Sequence, residues 1–326
     1  MSATATVPGG SLTLTCLAHD ADGDSVAYVW QATSGLIEGD GPGASWIAPA
    51  TEGLYRISVT ASDRWGFTAA DTLIVASDAF DGTLLVQSRD GLTALDAAGS
   101  SFVLHRSTAE VEVLGARIFL AGYRGIEEID HQGNELMGVE ADPPVAGYVT
   151  LLPDLGFAVI TNDSDVVYLV APTGAVIDTI PMPNPSPESL QNIEGVVVGD
   201  RLVVSENGSN ELFAVDLATH ETSIVRSVQD GHGWLGSIDY RDGTYFLCRS
   251  NRVQAFTVGG DLREICGLPE HNITGIATTG RFAYVVLNFA GALYRVDLET
   301  GEYQRAVSGL DYPQDIEILP VRLTRP

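Results

Sequence analysis

One phrase recurs along most of this chain: a polar or glycine break, an apolar strand, a turn, a second strand, another turn, and a third strand that usually closes on aspartate. The clearest copy runs Ile273–Ala277, Phe282–Val286 and Ala292–Asp297, followed by Leu298-Glu299-Thr300-Gly301. A near twin runs Ile193–Val197, Arg201–Val204 and Glu211–Asp216. Weaker copies end at Asp96, Asp130, Ala171 and Thr257, so the anchors at 96, 130, 171, 216, 257 and 297 lie 34 to 45 residues apart. A unit of that length built only of strands is too small to bury its own apolar faces, so its copies must stack on one another. Strand-only repeats of this length form the blades of a β-propeller, and six anchors predict six blades.

The ends of the repeat region predict how the ring closes. Residues 83–105 hold three strands, Leu84–Val86, Leu92–Leu95 and Phe102–Leu104, and lack an innermost one. Asp315–Leu319 is a strand left over after the sixth repeat. Pairing the two completes blade one from both ends and removes edges that would otherwise template aggregation. The propeller is accordingly expected over residues 78–326.

Residues 1–77 read differently. Short alternating strands at Ser11–Ala18, Val26–Trp30, Leu54–Val59 and Thr72–Val75 are separated by turns rich in glycine and aspartate, the pattern of a β-sandwich. Trp30 follows Cys16 by 14 residues, the place of a core tryptophan in an immunoglobulin-like sandwich, and Gly53-Leu54-Tyr55 has the form of a tyrosine corner. Ile57 stands two residues after that tyrosine, so Cys16 is expected to face Ile57 with no inter-sheet disulfide. The fold class expected is therefore all-β, an N-terminal Ig-like sandwich plus a six-bladed β-propeller, with the sandwich hanging from a short joint near Ser77 to Asp81.

Ala18–Asp24, Tyr28-Val29-Trp30, Gly53-Leu54-Tyr55 and Ser62–Gly66 together resemble the PKD and related bacterial Ig-like repeats, over most of residues 8–77. Such repeats imply a bacterial protein that is secreted or on the cell surface, in which the sandwich is a spacer or adhesive module. Asp20, Asp22 and Asp24 alternate along one turn and Asp63 belongs to the neighbouring loop; this resembles the calcium site of some PKD-type repeats, since hard cations take several carboxylate oxygens. It is not an EF-hand, because Ser25 replaces the loop glycine. The alternative reading is that these aspartates serve only as turn formers. The strand–turn–strand–Asp phrase, in turn, resembles the NHL and YVTN-type propeller repeats, a resemblance that implies fold rather than function.

Propeller ligands gather where loops enter the innermost strands. Here those entries bring Tyr148, Asn192, Glu194, His232, Trp234, His271, Asn272, Thr274, Gln314 and Asp315 to one mouth, with Glu110 and Ser237 beside them. Glu194 and Asp315 with Asn192 or Asn272 form an oxygen donor set for one calcium, and His232 and His271 are a possible acid–base pair. No Gly-x-Ser-x-Gly, His-Glu-x-x-His or P-loop occurs.

Charge bounds the partners. The chain carries 43 acidic and 17 basic residues, a formal net charge of −26, which argues against nucleic acid and anionic lipid and suits basic partners or divalent cations. No run of 18 apolar residues is present, so no membrane insertion is expected. Met1–Thr6 has neither a basic nor an apolar leader region, and an extracellular, periplasmic or cell-surface home then implies a leader absent from this chain. Cys248 and Cys266 fall on the second and fourth strands of blade five, too far apart to bridge. Three readings follow: a binding protein whose propeller recognises a protein or glycan, a calcium-dependent hydrolase or lyase using the channel, or a structural subunit of an extracellular assembly.

Overall fold

The computed structural model describes residues 4–96, 99–107, 109–122, 125–145, 147–161, 166–182, 194–206, 209–228, 233 and 235–324. Among these every regular element is a β-strand. Six four-stranded antiparallel sheets form the propeller. Five are built from consecutive strands. The sixth is closed by Asp315–Leu319, which pairs antiparallel with Thr83–Ser88, setting Ile316 opposite Val86. Blade one thus takes its innermost strand from the far end of the chain.

The middle strands explain the continuous apolar runs in the sequence. All six residues of Phe282–Leu287 and of Thr83–Ser88 are buried, because each middle strand is covered by a neighbouring blade on both faces. Outer strands are largely open to solvent instead, as in Glu135–Glu140. The repeat aspartates close the outer turns. Asp130 Oδ1 accepts the amides of Gln132 and Asn134, and Asp216 Oδ1 those of Ala218 and Thr219. Asp297 Oδ1 does the same for Glu299 and Thr300, while its Oδ2 receives Arg281 Nε at 2.7 Å.

The N-terminal sandwich has two sheets. One joins Ala5–Thr6, Thr68–Ser77, Gly53–Ser62 and Ala27–Ala32 in that spatial order; the other joins Ser11–Thr15, Gly43–Ile47 and Leu36–Glu38. The last two strands have no counterpart in the sequence reading, since Gly39, Gly41, Pro42 and Gly43 mask the alternation. They correct the expected core: the fully buried tryptophan is Trp46, packed 5.8 Å from Tyr55, whereas Trp30 is half-buried and donates to Gly41 O. Cys16 lies just past its strand and outside the core around Ile57, which is filled by Leu12, Leu14, Trp46 and Val75. Tyr55 does form a tyrosine corner, its hydroxyl donating to Thr51 O at 3.1 Å. The three cysteines are free thiols.

The sandwich does not hang from a joint. It is docked between blades six and one. Ala5, Leu54 and Ala76 share one apolar cluster with Leu84, Val86, Phe282 and Tyr284. At its centre Asp78, 2% exposed, meets Arg295, 1% exposed, with Arg295 Nε 3.0 Å from Asp78 Oδ2. The Tyr284 hydroxyl donates to the same oxygen, and Arg295 stacks over the Phe282 and Tyr284 rings. Gln304 spans the seam, its Nε2 donating to Thr4 O at 2.9 Å and Ile74 O at 2.6 Å while its Oε1 accepts from Arg295. Short-range chain geometry could not announce this, since the partners lie more than 200 residues apart.

Candidate functional site

The innermost strands of the six blades are Asp315–Leu319, Glu110–Leu114, Tyr148–Leu151, Glu194–Val198, Leu235–Arg241 and Ile273–Thr279. Each has one free edge facing the central channel, so its amides need partners other than a sheet neighbour. Side chains of the adjoining blade supply many of them. Asp315 Oδ2 accepts from Val111 N at 3.2 Å, Glu112 Oε2 from Leu151 N at 3.4 Å, and Glu194 Oε2 from Ile238 N at 3.3 Å. Ser237 Oγ accepts from Ile276 N at 2.9 Å, and Asp239 Oδ2 takes both the amide and the hydroxyl of Thr278 at 2.6 Å. Thr274 Oγ1 closes the ring by donating to Pro313 O at 3.0 Å. Only the seam between blades three and four has no such bond among the described residues; there Gly195 allows a close approach, since a Cβ at 195 would lie 2.8 Å from Thr150 Oγ1.

These strands enclose a cavity of about 480 Å³. Its walls carry six carboxyl groups: Asp315 and Glu317 from blade one, Glu110 and Glu112 from blade two, Glu194 from blade four and Asp239 from blade five. No lysine, arginine or histidine lines it among the described residues. Blades three and six contribute hydroxyls instead, from Tyr148, Thr150, Thr274 and Thr278.

Desolvation in the channel pushes these acids towards their neutral form. Glu110 is pushed up to about 8, first by desolvation and then by the charge of Asp315. Asp315 is pushed up to about 6 by burial, against the pull of the Ile316 and Val111 amides. Glu112, Glu194 and Glu317 are raised well above the ordinary carboxylate range, by burial and then by Asp315. Asp239 is raised by burial, and its bonds to Thr278 oppose the shift.

Of the residues expected at the mouth, Tyr148, Glu194, Thr274, Gln314 and Asp315 line the cavity. Asn272 stands beside it, bonded to the lining Asn288 through its Nδ2. His271 is exposed and faces Ser250 Oγ at 3.2 Å rather than the cavity. Asn192, His232 and Trp234 lie outside the described residues, and with them the proposed His232–His271 pair. Glu112, Asp239 and Glu317 went unrecognised as site residues in the sequence. Once the strands are known to ring one cavity, Glu110-Val111-Glu112 and Asp315-Ile316-Glu317 place acids two apart, hence on one face, of innermost strands; Asp239 carries no such pairing.

In the sandwich, Asp20 Oδ1 accepts the amides of Asp22 and Asp24, and Asp63 Oδ1 those of Trp65 and Phe67. Asp24 Oδ2 is taken by Arg64 Nε and Trp65 Nε1, each at 3.1 Å. Arg64 thus already pairs with Asp24, and three of the four aspartates have an oxygen committed to a local partner. Among the described residues no group of three or more His, Cys, Asp or Glu side chains is placed to hold a metal ion.

No curated protein matches the chain. Among solved structures, a chain from a crystal structure of a nidogen/laminin complex superposes with a TM-score of 0.55 at 11% identity, covering 73% of this chain and 98% of that one. Hsv2 of Kluyveromyces lactis gives 0.43 at 12% identity, covering 61% and 62%. A quinonprotein alcohol dehydrogenase-like protein from Bacteroides thetaiotaomicron gives 0.41 at 12% identity, covering 92% and 81%. The first of these supports the propeller fold and nothing more specific. Among the described residues no helix is long and apolar enough to cross a membrane. Residues 1–76 match the family model described as the PKD domain.

Proposed function

We propose that this is a secreted, periplasmic or cell-surface binding protein whose recognition site is the acidic channel mouth of the propeller. In this reading residues 1–77 form the supporting module and residues 78–326 an NHL/YVTN-type propeller. The observation that carries it is the channel itself: six carboxyl groups line a cavity whose described walls carry no basic side chain, on a scaffold with its closing strand paired. A PKD domain is consistent with an extracellular setting. The partner is a protein or glycan that presents cationic or hydrogen-bond donor groups to Tyr148, Glu194, Thr274, Gln314 and Asp315. Protein and glycan arrays probed with the wild type and with Glu194→Gln/Gln314→Ala test this. Binding lost in the variant supports the reading, and binding unchanged removes the channel from it.

A hydrolase or lyase is favoured by one observation. Glu110, pushed up to about 8, is protonated at neutral pH and suits a general acid. Turnover of ester or uronide substrates that is lost in Glu110→Gln would establish that alternative. Calcium at Asp20, Asp22, Asp24 and Asp63 requires Arg64 to leave Asp24, a rearrangement that calcium titration of Trp65 fluorescence reads directly.

A further inference from the structure

We propose that the propeller channel is a binding site for a small organic polycation, an alkyl chain carrying two or more ammonium groups. This rests on the reading of the channel as the recognition site and puts a small cationic molecule inside it, in place of a protein or glycan at its mouth.

Three observations converge on this ligand. Charge comes first. Six carboxyl groups share one cavity with no basic side chain in its described lining. Arg89, near the mouth, is not part of that lining and instead stacks over Tyr312, 4.0 Å from the ring centroid. The second observation is an unanswered polar group. Thr150 is 5% exposed, lines the cavity, and its hydroxyl has no hydrogen-bond partner among the described residues. Its counterpart on the preceding blade, Glu112, reaches the next inner strand, and so does Ser237 on blade five. Glu110 and Glu317 likewise accept no hydrogen bond from a described residue.

Geometry then selects the kind of cation. The carboxyl groups are spread over four of the six inner strands. Glu110 and Glu112, like Asp315 and Glu317, are two residues apart, which sets two levels roughly 7 Å apart along the strands. They do not converge into a group placed to hold a metal ion. A methylene chain that separates its charges can meet both levels, whereas a single chelated ion meets one. Each ammonium has three N–H donors, which the acidic wall and the hydroxyls of Tyr148, Thr150, Thr274 and Thr278 can accept. The cavity volume is in the range of small-ligand sites.

The binding has a signature that surface attraction lacks. The channel acids hold protons near neutrality, so a cation entering among them must expel protons into the buffer. Acids on the exposed surface are already ionised and release none.

The experiment is calorimetric titration of the whole chain with spermidine at pH 7, in two buffers of different ionisation enthalpy. We expect one site and net proton release. Glu112→Gln/Glu317→Gln should weaken binding at least tenfold, while the exposed pair Asp22→Asn/Asp242→Asn should leave it unchanged. Thermal melts confirm that each variant is folded, and proton release by the wild type does not depend on any variant. Many weak sites, no proton release, or equal affinity in the channel variant would overturn the proposal. So would calcium alone, or a lysine-containing peptide, binding at the same site more tightly than spermidine. If spermidine fails while array binding still depends on Glu194 and Gln314, only the ligand class falls; if both fail, the channel reading falls with it.

Discussion

The molecule buries charge in two places and treats it in opposite ways. At the seam between sandwich and propeller, Asp78 and Arg295 are both almost fully buried, face each other, and are surrounded by Tyr284 and Gln304. In the channel six carboxyl groups are gathered with no cation among the described lining residues, and four of them are met by edge amides or hydroxyls. A buried ion pair of opposite charges holds one geometry. Unpaired carboxyls leave ionisation unfinished, so their state depends on proton concentration or on whatever cation enters. The first arrangement fixes a structure, while the second keeps a site responsive.

The largest test of this contrast is at the seam. Arg295→Met leaves Asp78 buried without its cation and should destabilise the protein by about 3–5 kcal/mol. Chemical denaturation measures the loss, and limited proteolysis near residues 78–81 should report release of the sandwich. Replacing Asp78 and Arg295 together by apolar residues should recover much of it. If Arg295→Met alone is neutral, the pair does not fasten the modules.

The channel should dominate the pH dependence. A carboxyl whose pKa is raised in the folded state contributes stability that is fully present below its unfolded pKa and is lost as pH rises through the folded value. For Glu110 that window runs from the ordinary 4.5 to about 8. Unfolding free energy should therefore fall between pH 5 and 8.5, by on the order of 3 kcal/mol. Denaturation midpoints across that range check it, and Glu110→Gln should flatten the slope. A stability that rises with pH would contradict the desolvation of these acids in the channel.

A smaller effect is expected where a channel acid serves mainly as a clasp. Asp239→Ala removes two bonds to Thr278 across the seam of blades five and six, and should lower stability by about 2 kcal/mol in equilibrium unfolding. The smallest change sits inside the sandwich. Tyr55→Phe deletes the bond to Thr51 O while keeping the ring against Trp46, for a loss of about 1 kcal/mol. A larger loss would mean that the corner, rather than the seam, holds the N-terminal module in place.

Much of the architecture was legible in the residues. Alternation and the repeat spacing marked the blades, the aspartates at 130, 216 and 297 marked the outer turns, and Gly53-Leu54-Tyr55 marked the corner. The strand Gly43–Ile47 was not legible, because three glycines and a proline precede or open it, and with it went the identity of the core tryptophan. The channel was half legible. Glu194 and Asp315 stand out at strand entries, but Glu112, Glu317 and Asp239 read as ordinary polar positions on alternating strands until those strands are known to ring one cavity.

Local order alone determined what recurs within forty residues: strand, turn, and a third strand closed by an aspartate that bonds its own backbone. Such features depend on neighbours in the chain. Tertiary structure alone decided what is buried with what. The acids at 110, 112, 194, 239, 315 and 317 become one site, and Asp78 finds Arg295, only because closure of the ring brings distant strands within a few ångströms. Desolvation and charge then act across space without regard to separation along the chain.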